Sequence, residues 1–293
     1  VPKTWADLAK AVYHGHVGMS APSRSGTTHL TVETLLQGMG WEKGWDLMKG
    51  IAGNFKTVTA RSFGVPDGVN SGQFGVGIVI DFFGLSSQAS GFPVDFLYPK
   101  VTTLVPANIA IVKNAPNPKA AAAFIEYLLS AEGQEVLLDP KIRRLPVNPK
   151  TYAKAPKGFP NPFKDKSIGS AVKFDLKLSK GRYNIINSLF DVMITYRLDD
   201  LRAAAKAIQN AEAKAKGTAA MKMIAEAKAL VAKVPIGASK ASHKDFNKIF
   251  KKKRKKKSVK VTGRQAEFEQ AWDTEIKANY AKAKALADKA AAM

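Results

Sequence analysis

Residues 16–36, HVGMSAPSRSGTTHLTVETLL, constrain the fold more than any other stretch of the chain. A short apolar run, a loop of small and hydroxyl residues and an amphipathic run follow without a break, the order of a buried strand feeding a helix. That helix carries Leu30, Leu35, Leu36 and Met39 and is expected to stop at Gly38 and Gly40. The alternation continues. WEKGWDLMKGIA places Trp41, Trp45 and Met48 on one helical face, and FGVGIVIDFF is apolar enough for a strand covered on both sides. The run ANIAIVK predicts a further strand. In NAPNPKAAAAFIEYLLSAEGQEVLL, Asn117 stands at a cap position, Pro118 at the first helical position, and Ala122, Phe124, Ile125, Leu128 and Leu129 form an expected buried face. This is an α/β pattern.

The pattern changes twice. Pro140, Pro146, Pro149, Pro156, Pro160 and Pro162 mark a long irregular passage, and helical periodicity resumes near Tyr183. Past Ala203 the chain becomes rich in Ala and Lys with few large side chains, which predicts a loosely attached helical tail. The expected organisation is an α/β lobe over 1–105, a return segment over 106–202 and a helical basic extension over 203–293. Charge follows the same division. Residues 1–150 carry 14 Lys and Arg against 11 Asp and Glu, a net +3, whereas 151–293 carry +19 of the total +22.

Ser23, Arg24, Ser25, Gly26, Thr27 and Thr28 stand where the first N–H groups of a helix lack partners within it. Those donors and the positive end of the helix dipole favour an anion such as a phosphate or carboxylate, and small side chains let it approach. Capping of the helix by Ser25 is the alternative reading. No Lys follows Gly26, so the loop lacks the nucleotide-binding Gly-x-x-x-x-Gly-Lys-Ser/Thr pattern. Arg24 and Arg61 are candidates for charge-assisted contacts to the same anion, or solvated surface groups.

Asp81 ends an apolar run, so it is either an acceptor of ligand hydroxyls at the carboxyl end of a strand or a cap on the following turn. His29 falls in the first turn after the loop, within expected reach of a ligand. His14 and His16 show no third metal ligand near them, and the chain has no cysteine, which removes disulfides and thiolate chemistry. No nucleophile with an aligned base is visible, so no catalytic residues are assigned; an enzyme acting on a phosphate ester is the rival reading. The run KKKRKKKSVK from Lys251 attracts polyanions non-specifically, which makes a basic polyanion-binding protein a second rival reading, but it lacks interleaved aromatics for base stacking. No stretch has the ~18 to 20 apolar residues of a membrane-spanning helix.

PKTWADL, GMSAPSRSGTTHL, SGQFGVGIVIDFF, VPANIAIVKNAPNPKAAAAFIEYLLSAEGQEVLL and RLPVNP, taken in order, resemble the ABC-transporter solute-binding proteins of the ferric-binding class. The resemblance is narrower still to the branch that binds sugar phosphates and phosphoglycerate. It covers about residues 2–150 and implies type II periplasmic-binding-protein lobes that close on a small phosphorylated solute and deliver it to a permease or membrane sensor. It also implies a periplasmic monomer without cofactor or resident metal, with the loop from Ser23 holding the anion and Asp81 meeting sugar hydroxyls. Iron binders of this class present paired tyrosines; FLYPKVTTLVP offers Tyr98 alone, so ferric ion is the lesser alternative. The resemblance further leads us to expect an N-terminal lobe segment ahead of PKTWADL that is absent from this sequence.

Overall fold

The computed structural model describes residues 1–169, 172–250 and 263–293, and the chain divides into two compact units. Unit 1 comprises Val1–Val79 with Val172–Met293, and unit 2 comprises Ile80–Ala171. These boundaries differ from the expected breaks at 105 and 202. The Ala- and Lys-rich end belongs to the same unit as residues 23–28.

Unit 1 opens with two 3₁₀ turns, Trp5–Ala9 and Ala11–Tyr13. There follow β1 (Val17–Ser20), α1 (Gly26–Met39), α2 (Trp41–Ala52), β2 (Phe55–Thr59), α3 (Gly64–Asn70) and β3 (Val76–Gly77). The three strands form one parallel sheet in the order β2-β1-β3, with Ser20 opposite Thr59 and Gly18 opposite Gly77. β1 is buried at every residue, as expected for a central parallel strand. Gly18 and Gly68 admit the ring of Phe74 between them; a Cβ at either would lie 2.3 Å from that ring. α1 runs through Gly38 and ends at Gly40, whose φ of 87° turns the chain directly into α2. Trp45, Met48, Ile51 and Phe55 are almost wholly buried beneath it, each side chain contributing roughly 1.5–3 kcal/mol of apolar burial.

The run FGVGIVIDFF is not one strand. Pairing covers only Val76–Gly77, extended by the Ile78 N–H donating to Gly18 O at 2.9 Å, and the chain is helical again from Asp81.

Unit 2 contains α4 (Asp81–Ala89), α5 (Pro118–Leu129), α6 (Ala131–Val136) and a 3₁₀ turn, Pro149–Lys154. Residues 107–113, expected as a strand, belong to no strand or helix among the described residues, and Lys113 lies in a turn. α5 starts where expected, with Asn117 at the cap position although its side chain makes no capping bond, and it ends at Leu129, before Ser130 caps α6. Its expected buried face is not buried: none of its residues is, and Phe124 and Leu129 are 57% and 58% exposed.

Unit 1 resumes with α7 (Leu176–Phe190), which passes through a π turn at Asp191–Thr195, then α8 (Leu198–Lys214), α9 (Thr218–Ala232), α10 (Ala238–Ser242), α11 (Lys244–Ile249) and α12 (Arg264–Ala291). The expectation of a loose tail is corrected here. α12 packs along both α8 and α9 with Ala211, Ala227, Ala283, Ala287 and Ala290 fully buried, because small side chains bring the helix backbones close. Tyr280 adds a hydroxyl bond to Met193 O at 2.8 Å, and Arg197 grips Asp273 through two bonds. Phe246, Phe250, Phe268 and Trp272 join α11 to α12, with Phe250 and Trp272 stacked at 5.3 Å. The basic run from Lys251 lies outside the described residues. Among those described, no helix is long and apolar enough to cross a membrane.

Candidate functional site

The candidate anion site lies in unit 1 at the carboxyl ends of β1 and β2, where α1 begins. Strand pairing places it: Ser20 and Thr59 are opposite residues, and the Ala21 N–H donates to Thr59 O at 3.2 Å. The Thr59 hydroxyl then donates to Arg61 O at 2.7 Å, turning the 60–63 segment beside the 21–25 loop. The loop folds on itself through Arg24 N–H to Ala21 O at 2.9 Å and Ser25 N–H to Pro22 O at 3.4 Å.

Ser25 is the N-cap of α1, in extended backbone, and its Oγ accepts from the Thr28 N–H at 3.2 Å. The Thr28 hydroxyl lies 2.5 Å from the Ser20 hydroxyl and is buried. Thr28 is thus occupied inside the fold, unlike its expected position facing an anion, and the capping reading of Ser25 holds. Ser25 still has its own O–H to donate. The N–H groups of Gly26 and Thr27 have no acceptor among the described residues, so two of the expected donors are open. Ser23 and Gly26 are exposed, Arg24 and Thr27 half-buried, and a Cβ at Gly26 would meet nothing within 4 Å. No acidic residue occupies the first turn of α1, so nothing there offsets the positive end of its dipole. Arg61 is exposed.

α1 is fixed by polar groups on α7. His29 is 1% exposed; its Nδ1 lies 2.9 Å from Asn187 Oδ1 and its Nε2 3.3 Å from Ser179 Oγ, with the Tyr183 ring 4.1 Å away. Burial, which favours the neutral imidazole, pushes its pKa down, partly opposed by the Asn187 bond. The expected contact of His29 with a ligand is replaced by a structural tie. One turn further on, Glu33 accepts from Arg182 Nε at 3.0 Å and Nη2 at 2.6 Å. Sequence reading missed this support because its partners are about 150 residues apart. The available signal was local: His29 and Glu33 are four apart on the helical face that also carries Val32 and Leu36.

Asp81 belongs to unit 2 and opens α4. Its Oδ1 accepts from the Phe82 N–H at 2.8 Å and its Oδ2 from the Tyr98 hydroxyl at 3.0 Å. Burial, then the Asp81 charge, pushes the Tyr98 hydroxyl far above its ordinary pKa, and the same two causes push Tyr152 up to about 12. Both shifts oppose the phenolate form through which tyrosine holds ferric ion. Arg144 stacks on the Phe82 ring at 3.8 Å. The structure therefore brings residues 23–28 and the 60–63 turn together in one unit and sets Asp81 in the other.

The sequence family described as bacterial extracellular solute-binding protein matches residues 1–169. The phosphoglycerate transport regulatory protein PgtC of Salmonella typhimurium is 32% identical over 252 residues, 86% of this chain and 61% of the relative. The chain therefore spans about three fifths of the length of that relative. A protein of Haemophilus influenzae is 29% identical over 141 residues, covering 46% of this chain and 40% of its own. Among solved structures, the periplasmic binding protein AfuA from Actinobacillus pleuropneumoniae, described with bound fructose-6-phosphate, superposes with a TM-score of 0.52 at 22% identity. That superposition covers 65% of this chain and 60% of AfuA, and it shows a shared fold.

Proposed function

We propose, from the premise that the chain belongs to the bacterial extracellular solute-binding proteins, that it captures a small phosphorylated organic anion, such as a phosphoglycerate or hexose phosphate, without altering it. One observation carries the reading: the open N–H groups of Gly26 and Thr27 at the start of a 14-residue helix, with no acidic side chain in its first turn. The hydroxyls of Ser23, Ser25 and Thr27 add donors, and Arg24 and Arg61 supply positive charge near the loop. A phosphate monoester carries several acceptor oxygens and about two negative charges, so it makes use of more of these donors than a carboxylate does. The name of the Salmonella relative gives independent support for a phosphorylated three-carbon acid.

The remaining parts of the proposal follow the family. The protein works outside the cytoplasm as a monomer, in the periplasm, and hands its solute to an ABC permease or a membrane sensor. A binding role needs no nucleophile, and the one histidine beside the loop, His29, is committed to Asn187 and Ser179. A thermal-shift panel of 2- and 3-phosphoglycerate, hexose phosphates, inorganic phosphate, the unphosphorylated acids and sugars, and ferric salts tests the reading. A rise in melting temperature confined to phosphorylated compounds supports it. A rise with glycerate or ferric salt and none with any phosphate ester would overturn it.

A further inference from the structure

His29 is a buried titratable group that the candidate site does not use, and it stands beside the open amides of α1. The His29 N–H donates to Ser25 O at 3.0 Å, one residue beyond the Thr28 N–H that the Ser25 hydroxyl caps. One face of α7 receives the ring. Ser179, Tyr183 and Asn187 are four residues apart, on successive turns, and all three lie against the imidazole. Because Asn187 Oδ1 can only accept, Nδ1 carries the proton; Nε2 is then bare and accepts from the Ser179 hydroxyl. Ser179 and Asn187 are themselves buried, which keeps water from both bonds.

That slot suits one ring proton, not two. A proton at Nε2 makes this nitrogen a donor, so the Ser179 hydroxyl has to turn its own hydrogen away inside a buried contact. The new charge would also sit on the fourth residue of α1, near the positive end of the helix dipole. The titratable and charged groups facing the ring are Glu33 of α1 with Arg182 and Tyr183 of α7; α2, the other helix packed on α1, adds no charge that acts on it. Arg182 repels an imidazolium. Glu33 attracts one, but its carboxylate already accepts from Arg182 Nε and Nη2 and from Gln37 Nε2 at 2.7 Å. Burial is the strongest effect, ahead of Asn187 and Glu33, and holds the ring's pKa below its ordinary 6.5. An undocked ring therefore takes the proton first, and the docked state loses stability as pH falls through 6.5.

We propose that His29 is an acid-operated latch: the neutral ring holds the start of α1 on α7, and a proton on it frees that start and with it the aim of the Gly26 and Thr27 N–H groups. What the latch serves rests on the anion reading. The latch itself is tested without solute, so either can fail alone. The test is amide hydrogen exchange at pH 7 and pH 5, corrected for intrinsic exchange rates, on the wild type, His29→Gln and Asn187→Asp. In the wild type, protection of amides 30–33 falls about tenfold or more between the two pH values, as expected of a group that takes up its proton on release. His29→Gln keeps a donor for Asn187 but cannot titrate, and it removes the fall. Asn187→Asp sets a carboxylate against Nδ1, favours the imidazolium in place and removes the fall as well. A wild-type fall no larger than that of His29→Gln overturns the proposal, as does a full fall in Asn187→Asp. An equal fall at amides 276–287 of α12 also overturns it, because the proton then unfolds the unit instead of freeing one helix end.

Discussion

Arg182 of α7 and Glu33 of α1 form an ion pair inside unit 1, with side chains 6% and 0% exposed and two guanidinium nitrogens, Nε and Nη2, at 3.0 and 2.6 Å from the same carboxylate oxygen. The guanidinium also lies 5.2 Å from the centre of the Trp41 ring on α2. One side chain therefore sets three helices around the base of the candidate anion site.

Removing one partner of this pair leaves a buried, uncompensated charge. Arg182→Met is expected to cost about 3–5 kcal/mol in urea denaturation. Pairing it with Glu33→Leu restores most of that loss, because no charge then remains buried. A double variant no more stable than Arg182→Met would contradict this view of the pair.

Lys49 gives the fold an unusual pH dependence. It is fully buried, its Nζ donates to Lys233 O at 2.5 Å, and burial pushes its pKa from 10.5 down to about 7 despite the Asp46 and Glu275 charges. Below pH 7 both folded and unfolded states hold the proton, and the cost of the buried charge is present in full. Between about 7 and 10.5 the unfolded state binds more protons, so stability rises with pH at up to about 1.4 kcal/mol per unit. Lys49→Met is expected to be more stable than wild type at pH 6 and to flatten the rise. Denaturation midpoints at pH 6, 7.5 and 9 check both the sign and the slope.

The alanine contacts of α12 are tight. Ala283 is fully buried, so Ala283→Leu overfills its site and is expected to cost about 1–3 kcal/mol, whereas a loosely attached tail would tolerate it. A single cooperative transition, shifted as a whole, is the expected calorimetric result.

Where the information was local, the sequence sufficed to read the fold. β1, the loop and α1 have their expected places because a buried apolar run, a Ser N-cap and a glycine stop act over a few residues. The same holds for the start of α5, set by Pro118. Residues 107–113 and the face of α5 were read from apolar content alone, and apolar content does not fix strand pairing or burial: the first joins no sheet among the described residues and the second stays exposed. α8, α9 and α12 misled for another reason: alanine carries little apolar area, so burial through close approach leaves no mark in hydropathy. In the site, the open amides of Gly26 and Thr27 were legible. The capture of Thr28 by Ser20 and of His29 by Asn187 and Ser179 was not, because sheet pairing and the docking of α7 decide both.

Isothermal titration of 3-phosphoglycerate and fructose-6-phosphate into the wild-type protein and into Thr27→Asp tests the central claim most directly. An anion held by the Gly26 and Thr27 N–H groups predicts saturable one-to-one binding of at least one of the two esters by the wild type. It also predicts loss of binding in Thr27→Asp, where a carboxylate stands at the positive end of α1, with no fall in melting temperature. Equal affinity in the two proteins, or no heat with either ester in the wild type, would contradict it.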